Sequence, residues 1–211
     1  MKAGVIAVQG DVSEHAAAIR RAGEAHGVDV ETVSIRRSGI VPDCDLLAIP
    51  GGESTTISRQ VHDEGIAPEI RAHVEAGKPV LATCAGLIVL SRDAKDDRVS
   101  TLDLLDATID RNAFGRQADS FRAPVDVVGL EDPFPGVFIR APTVDEVGDG
   151  VETLSTWESR PVAVREGPIL ATAFHPELTD DVRIHRLAFF DADLATDADS
   201  PEDDAGEVAA E

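Results

Sequence analysis

Val80-Leu81-Ala82-Thr83-Cys84-Ala85-Gly86-Leu87 is an apolar run interrupted by one cysteine and two small residues. The first four residues read as a buried strand, and the residues after Cys84 read as the start of a helix. A sharp strand-to-helix turn of this form exposes the side chain at its apex above a sheet, the arrangement called a nucleophile elbow. Small neighbours suit it because such a turn is crowded. A thiol there sits at a helix N-terminus, whose dipole favours the thiolate, and the N–H groups beginning with Ala85 can face an oxyanion. The other reading is a buried, inert cysteine, and this stretch alone does not separate the two.

Working outward, the elements around this turn alternate. Residues 2–8 are apolar and rich in Val and Ile, and read as a strand ending at Gln9-Gly10-Asp11. Residues 12–26 carry helical spacing, closed by Gly27. Strands are predicted over 28–35 and 46–49, the latter stopped by Pro50-Gly51-Gly52, and helices over 55–64 and 68–76. This alternation implies βαβ units and a mostly parallel sheet flanked by helices. Downstream, short strand-like runs follow at 104–109, 125–128, 137–139, 151–155, 161–165 and 169–174, then an amphipathic helix over 182–190. Several of these runs should extend the central sheet or form antiparallel hairpins beside it. The organisation predicted is one α/β domain over 1–190 and an acidic tail over 191–211. That tail holds nine acids and no bases, and reads as solvated and disordered.

Composition narrows the function. The 211 residues suffice for one sizeable domain. Forty acids against nineteen bases give a net charge of −21, which repels nucleic acid phosphates and anionic membranes. The acids are spread along the chain, a pattern read as adaptation to high internal salt, where self-repulsion is screened; the alternative is an acidic protein of an ordinary cell. No stretch approaches the ~20 apolar residues of a membrane span, and the N-terminus lacks a signal peptide's apolar region. A soluble cytoplasmic protein is expected. The two cysteines, Cys44 and Cys84, form neither a disulfide framework nor a zinc pattern, so free thiols and no metal are expected. Cys44 lies between Asp43 and Asp45, whose charges should raise its pKa and leave it unreactive.

Two further segments bear on Cys84. His175-Pro176-Glu177 follows an apolar strand that carries it to a sheet edge, where α/β sites lie. Pro176 disfavours the helical region for His175, so the segment is expected to stay extended, with His175 and Glu177 on one side. Glu177 can then orient the imidazole while His175 serves Cys84 as base and acid. Pro50-Gly51-Gly52-Glu53-Ser54-Thr55 places two glycines after a strand, so backbone N–H groups can approach a small polar ligand, and Ser54 or Thr55 can cap the next helix. It lacks the lysine of a phosphate loop.

Taken together, these segments resemble the PdxT-type glutaminase subunits of pyridoxal 5′-phosphate synthase, within the class I glutamine amidotransferases. The resemblance is collinear over roughly 2–190. It is carried by VQGDVSEH at 8–15, PGGEST at 50–55, TCAGLI at 83–88, RNAFGRQ at 111–117, FIRAP at 138–142 and ATAFHPELT at 171–179, then Asp181, Arg183 and His185. TCAG and HPE mark only the superfamily; the opening segment, RNAFGRQ and FIRAP are more specific. The resemblance implies a flavodoxin-like fold and a triad of Cys84, His175 and Glu177. It implies glutamine contacts from Gly52, Glu53, Ser54, Arg111, Ile139 and Arg140, and oxyanion donors at Gly52 and Ala85. No cofactor is implied. It implies a PdxS-type synthase subunit as partner, which receives the ammonia, and an isolated glutaminase that is weakly active until docked, with Gln9-Gly10 a place for that activation. Ala82, Arg122, Pro168 and Ala173 depart from the usual pattern, and none is a triad member.

Arg111 has a second reading, a structural ion pair in a very acidic chain. His26, His62 and His73 read as surface residues, and His15 and His185 as structural hydrogen-bonding groups. Two rival functions remain open on sequence: a glutaminase subunit for histidine or nucleotide synthesis, and a non-catalytic regulatory subunit.

Overall fold

A computed structural model describes residues 1–111 and 120–191. The first half alternates as predicted: β1 (Lys2–Ile6), α1 (Val12–His26), β2 (Glu31–Ile35), β3 (Leu46–Ile49), α2 (Ser54–Asp63), α3 (Ala67–Glu75), β4 (Val80–Thr83) and α4 (Ala85–Leu90). The second half is mostly strand: β5 (Ser91–Asp93), β6 (Leu105–Asp110), β7 (Phe121–Val125), β8 (Phe134–Phe138), β9 (Thr143–Val147), β10 (Glu152–Trp157), β11 (Arg160–Glu166), β12 (Ile169–Thr172), then α5 (Arg183–Phe189).

Among the described residues the central sheet has seven strands in the order β10-β11-β12-β4-β3-β1-β2. The five from β12 to β2 pair in parallel, and β11 and β10 add on antiparallel. Strands β3, β4 and β12 (LLAI, VLAT, ILAT) are buried along their whole length. That continuous apolar character, rather than alternation, is what a parallel strand covered on both faces requires. Because β1, β3, β4 and β12 run the same way, their C-terminal ends meet at one edge. Gln9-Gly10-Asp11, Pro50-Gly51-Gly52, Cys84 and His175 all lie just beyond those ends.

Several predicted boundaries move. Helix α1 ends on Gly27 in the left-handed region, and Val28 N–H returns to the Gly23 carbonyl at 2.8 Å, so 28–30 is a helix-to-strand connection, not strand. The runs placed at 125–128 and 137–139 instead pair as β7 with β8, in a register opposing Phe121 to Phe138, whose rings stack at 4.6 Å. Strands β5 and β9 flank β6 in a small side sheet and were not anticipated. Ser91-Arg92-Asp93 carries no apolar signal, and Thr143–Val147 is buried only at its first two residues, so neither alternates. The tail beyond Asp191 lies outside the described residues.

Candidate active site

Cys84 occupies the turn between β4 and α4 with φ 49 and ψ −103, a region that L residues rarely adopt. The strand holds one side of the turn: the Cys84 N–H donates to the Thr172 carbonyl of β12 at 2.7 Å. On the other side a Cβ at Gly86 would overlap the Ile49 backbone carbonyl, which explains the small residue two places on. The sequence therefore builds the predicted elbow, and Cys84 is 7% exposed at the mouth of the sheet edge.

His175 arrives from β12. Its N–H donates to the Val137 carbonyl at 2.8 Å, fastening it to β8. The Phe174 ring packs against Phe134 and Phe138, each at 5.7 Å between centroids, so an aromatic cluster anchors the residue before this histidine. The predicted extended conformation through Glu177 does not occur. Pro176–Leu178 forms a 3-10 turn, for which the fixed φ of proline at its first position is suited. The turn still brings the two side chains together: His175 Nδ1 lies 2.7 Å from Glu177 Oε1. Both residues are buried, at 4% exposure each.

The imidazole completes a relay. Burial alone would lower the pKa of His175, but the hydrogen bond with Cys84 and the hydrogen bond and charge of Glu177 reverse this and raise it to about 10. Burial opposes ionisation of Glu177 as well; the nearby imidazoles of His15 and His175 outweigh it and hold the carboxyl below its usual range. A thiol, an imidazole favouring its charged form and a buried carboxylate thus stand in succession. A further carboxylate, Asp11 Oδ2, lies 3.8 Å from His175 Nδ1; it sits at the N-cap of α1 without capping it. Asp11, His175 and Glu177 could face a cation geometrically, but a proton shared between His175 Nδ1 and Glu177 Oε1 leaves no lone pair on that nitrogen for a metal.

The glycine loop closes the site. Gly51 packs flat against the imidazole, where a Cβ would overlap His175 Cε1. Gly52 has φ 147, and the adjoining Glu53 N–H donates to Gln9 Oε1 at 3.0 Å, tying the loops after β1 and β3. The cap of α2 is Glu53, not Ser54 or Thr55: its carboxylate accepts from Thr56 N–H at 2.9 Å and from both threonine hydroxyls. A carboxylate reaches the helix N–H groups and answers the dipole. Ser54 is buried in the first turn. Arg111 is ion-paired with Asp96, and its other terminal nitrogen lies 3.4 Å from Glu53 Oε1, so it braces the Glu53 corner. On the opposite side the Ile139 carbonyl lies 4.0 Å from Cys84 Sγ, and exposed Arg140 has φ 43. Of RNAFGRQ only Arg111 falls within the described residues.

His15 is hydrogen-bonded as expected, whereas neither ring nitrogen of His185 has a hydrogen-bond partner among the described residues. His15 is fully buried, with Nε2 3.1 Å from Thr83 Oγ1 and 3.5 Å from Glu177 Oε2. Thr83 Oγ1 in turn accepts the Gly51 N–H at 3.0 Å. The ring of His185 stands 5.8 Å from that of His15, and burial pushes its pKa down to about 3. His73 is buried, not on the surface, with Nε2 3.3 Å from the Pro79 carbonyl. The pKa of Cys44 is raised as expected, though burial is the main cause and the flanking acids are secondary.

Comparisons with known proteins give the family. The model of the SNO glutamine amidotransferase family matches residues 5–192. Over 190 residues the chain is 70% identical to a protein of Haloquadratum walsbyi named pyridoxal 5′-phosphate synthase subunit PdxT, covering 90% of this chain and 93% of that one. A protein of the same name from Halobacterium salinarum is 68% identical, covering 90% and 94%. A crystal structure of a glutamine amidotransferase superposes with a TM-score of 0.78 at 41% identity, covering 92% and 98%.

Proposed function

The chain belongs to the SNO glutamine amidotransferase family, and on that premise we propose that it is the glutaminase subunit of a pyridoxal 5′-phosphate synthase. It hydrolyses L-glutamine to L-glutamate and hands the ammonia to a PdxS-type synthase subunit. The observation that carries the chemistry is the succession Cys84, His175, Glu177 at the C-terminal edge of the parallel strands, with its 2.7 Å imidazole–carboxylate contact.

In this reading the Cys84 thiolate attacks the side-chain carbonyl carbon of glutamine, and the carbonyl π electrons move to oxygen. The N–H groups of Gly52 and Ala85 stabilise that oxyanion. The His175 imidazolium gives its proton to the amide nitrogen, the C–N bond breaks and ammonia leaves a γ-glutamyl thioester. Water then attacks the thioester carbon, loses a proton to His175 and expels the thiolate, releasing glutamate. Glu177 stays ionised and holds the ring. Gly52, Glu53, Ser54, Arg111, Ile139 and Arg140 surround the substrate, with Arg111 acting through the Glu53 corner. The domain is read as 1–190, and the acidic tail beyond Asp191 lies outside the described residues.

Among the described residues no helix is long and apolar enough to cross a membrane, and both cysteines are free thiols. A cytoplasmic setting of high salt fits these features and the −21 charge. The test is glutamate release by the chain with and without a co-expressed PdxS-type protein. Release that depends on the partner and disappears in Cys84→Ala is expected; release that survives this substitution contradicts the reading.

A further inference from the structure

Glu177 has two carboxylate oxygens, and the relay to His175 uses one. Oε1 meets His175 Nδ1 at 2.7 Å, while Oε2 is buried with no hydrogen-bond partner among the described residues. The group facing Oε2 is His15 Nε2, at 3.5 Å, and the same nitrogen lies 3.1 Å from Thr83 Oγ1. Thr83 Oγ1 holds the N–H of Gly51, the residue packed against the His175 ring. One imidazole on α1 therefore stands between the carboxylate that orients the base and the loop that carries the oxyanion donor.

We propose that His15 is a positioning residue for glutamine hydrolysis, holding Glu177 and the Gly51–Gly52 loop in register with His175; this rests on the glutaminase reading of the site. Burial disfavours the charged form of His15, so the ring carries one proton. A carboxylate only accepts, and the Thr83 hydroxyl oxygen can accept as well, so the proton belongs on Nε2, between them. Closing 3.5 Å by a few tenths of an ångström converts the contact to Oε2 into a hydrogen bond. The need is greatest when His175 has given its proton to the leaving nitrogen. Glu177 then faces a neutral ring in a site without bulk water, and the His15 N–H is the donor remaining on its second oxygen.

The test compares His15→Gln with His15→Asn. The longer carboxamide carries an N–H to the place of Nε2, whereas the shorter one stops near Nδ1. In the complex with the synthase subunit, H15Q is expected to keep kcat within several-fold of wild type. H15N is expected to lose about 10- to 100-fold in kcat, with KM for glutamine little changed, as when a buried acceptor loses its donor. In the free chain, the NMR resonance of the His175 Nδ1 proton should move in H15N and return toward wild type in H15Q. A role confined to packing would leave that resonance in place and affect both variants alike, and that result overturns the proposal. A wild-type complex that releases no glutamate counts against the glutaminase reading instead, and the His175 resonance then decides the role of His15 by itself.

Discussion

His175 Nδ1 and Glu177 Oε1 lie 2.7 Å apart across a 3-10 turn that begins at the proline between them. The contact fixes both the tautomer and the direction of the ring, leaving Nε2 for the substrate side. In Glu177→Gln the neutral amide no longer stabilises the imidazolium. The expected result is a fall in kcat on the order of 10²- to 10⁴-fold, measured as glutamate release in the partner complex, with the fold intact by circular dichroism.

Gly51 is the second support of the ring. A methyl group there would overlap Cε1 of His175, and that residue, buried and with its backbone N–H fastened to the Val137 carbonyl, has little room to withdraw. Gly51→Ala should lower kcat by about 10- to 100-fold through misplacement of the ring, since small displacements of reacting groups are costly. Its melting temperature should fall by only a few degrees, because the strain is confined to one side chain. Kinetics and thermal unfolding on the same preparation check this.

Arg111 is expected to bear on binding more than on chemistry. It joins Asp96 to the Glu53 corner, and a lysine cannot span two carboxylates with a planar fork. Arg111→Lys should raise KM for glutamine by roughly 10-fold and change kcat less. An equal loss in kcat at unchanged KM would place Arg111 in the chemical step instead.

The buried histidines make stability depend on pH. His185 has a pKa of about 3 in the folded chain against an ordinary 6.5. Above 6.5 it is neutral in both states, and its contribution is complete. Between 6.5 and 3 the unfolded chain binds a proton that the folded chain does not, so stability falls as pH falls. His15 acts in the same direction. Urea unfolding at pH 6.5 and at pH 5 should show a drop in midpoint, and His185→Leu should show a smaller drop.

Much of the site was legible in the sequence because each piece ends an apolar strand. The runs before Cys84, Pro50 and His175 are buried parallel strands whose ends share one edge, so reading the strands located the relay. Its details were less legible. The 3-10 turn at Pro176 and the cap at Glu53 depend on local geometry that allows two outcomes for the same residues. His15 was harder still. It stands on a helix 162 residues from Glu177, and the packing of α1 against the turn of residues 176–178 and α5 brings the two together. His73 resembled a surface histidine because its hydrogen-bond partner among the described residues is a backbone carbonyl, which leaves no mark in a side-chain pattern.

In the proposed mechanism Cys84, one of two buried thiols, is the working nucleophile. The most direct measurement is peptide mapping by mass spectrometry after treating the partner complex with an electrophilic glutamine analogue. A single adduct on Cys84, absent in His175→Ala and accompanied by loss of glutamate release, is the predicted result. An adduct on Cys44, or full inactivation with Cys84 unmodified, would rule out Cys84 as the nucleophile.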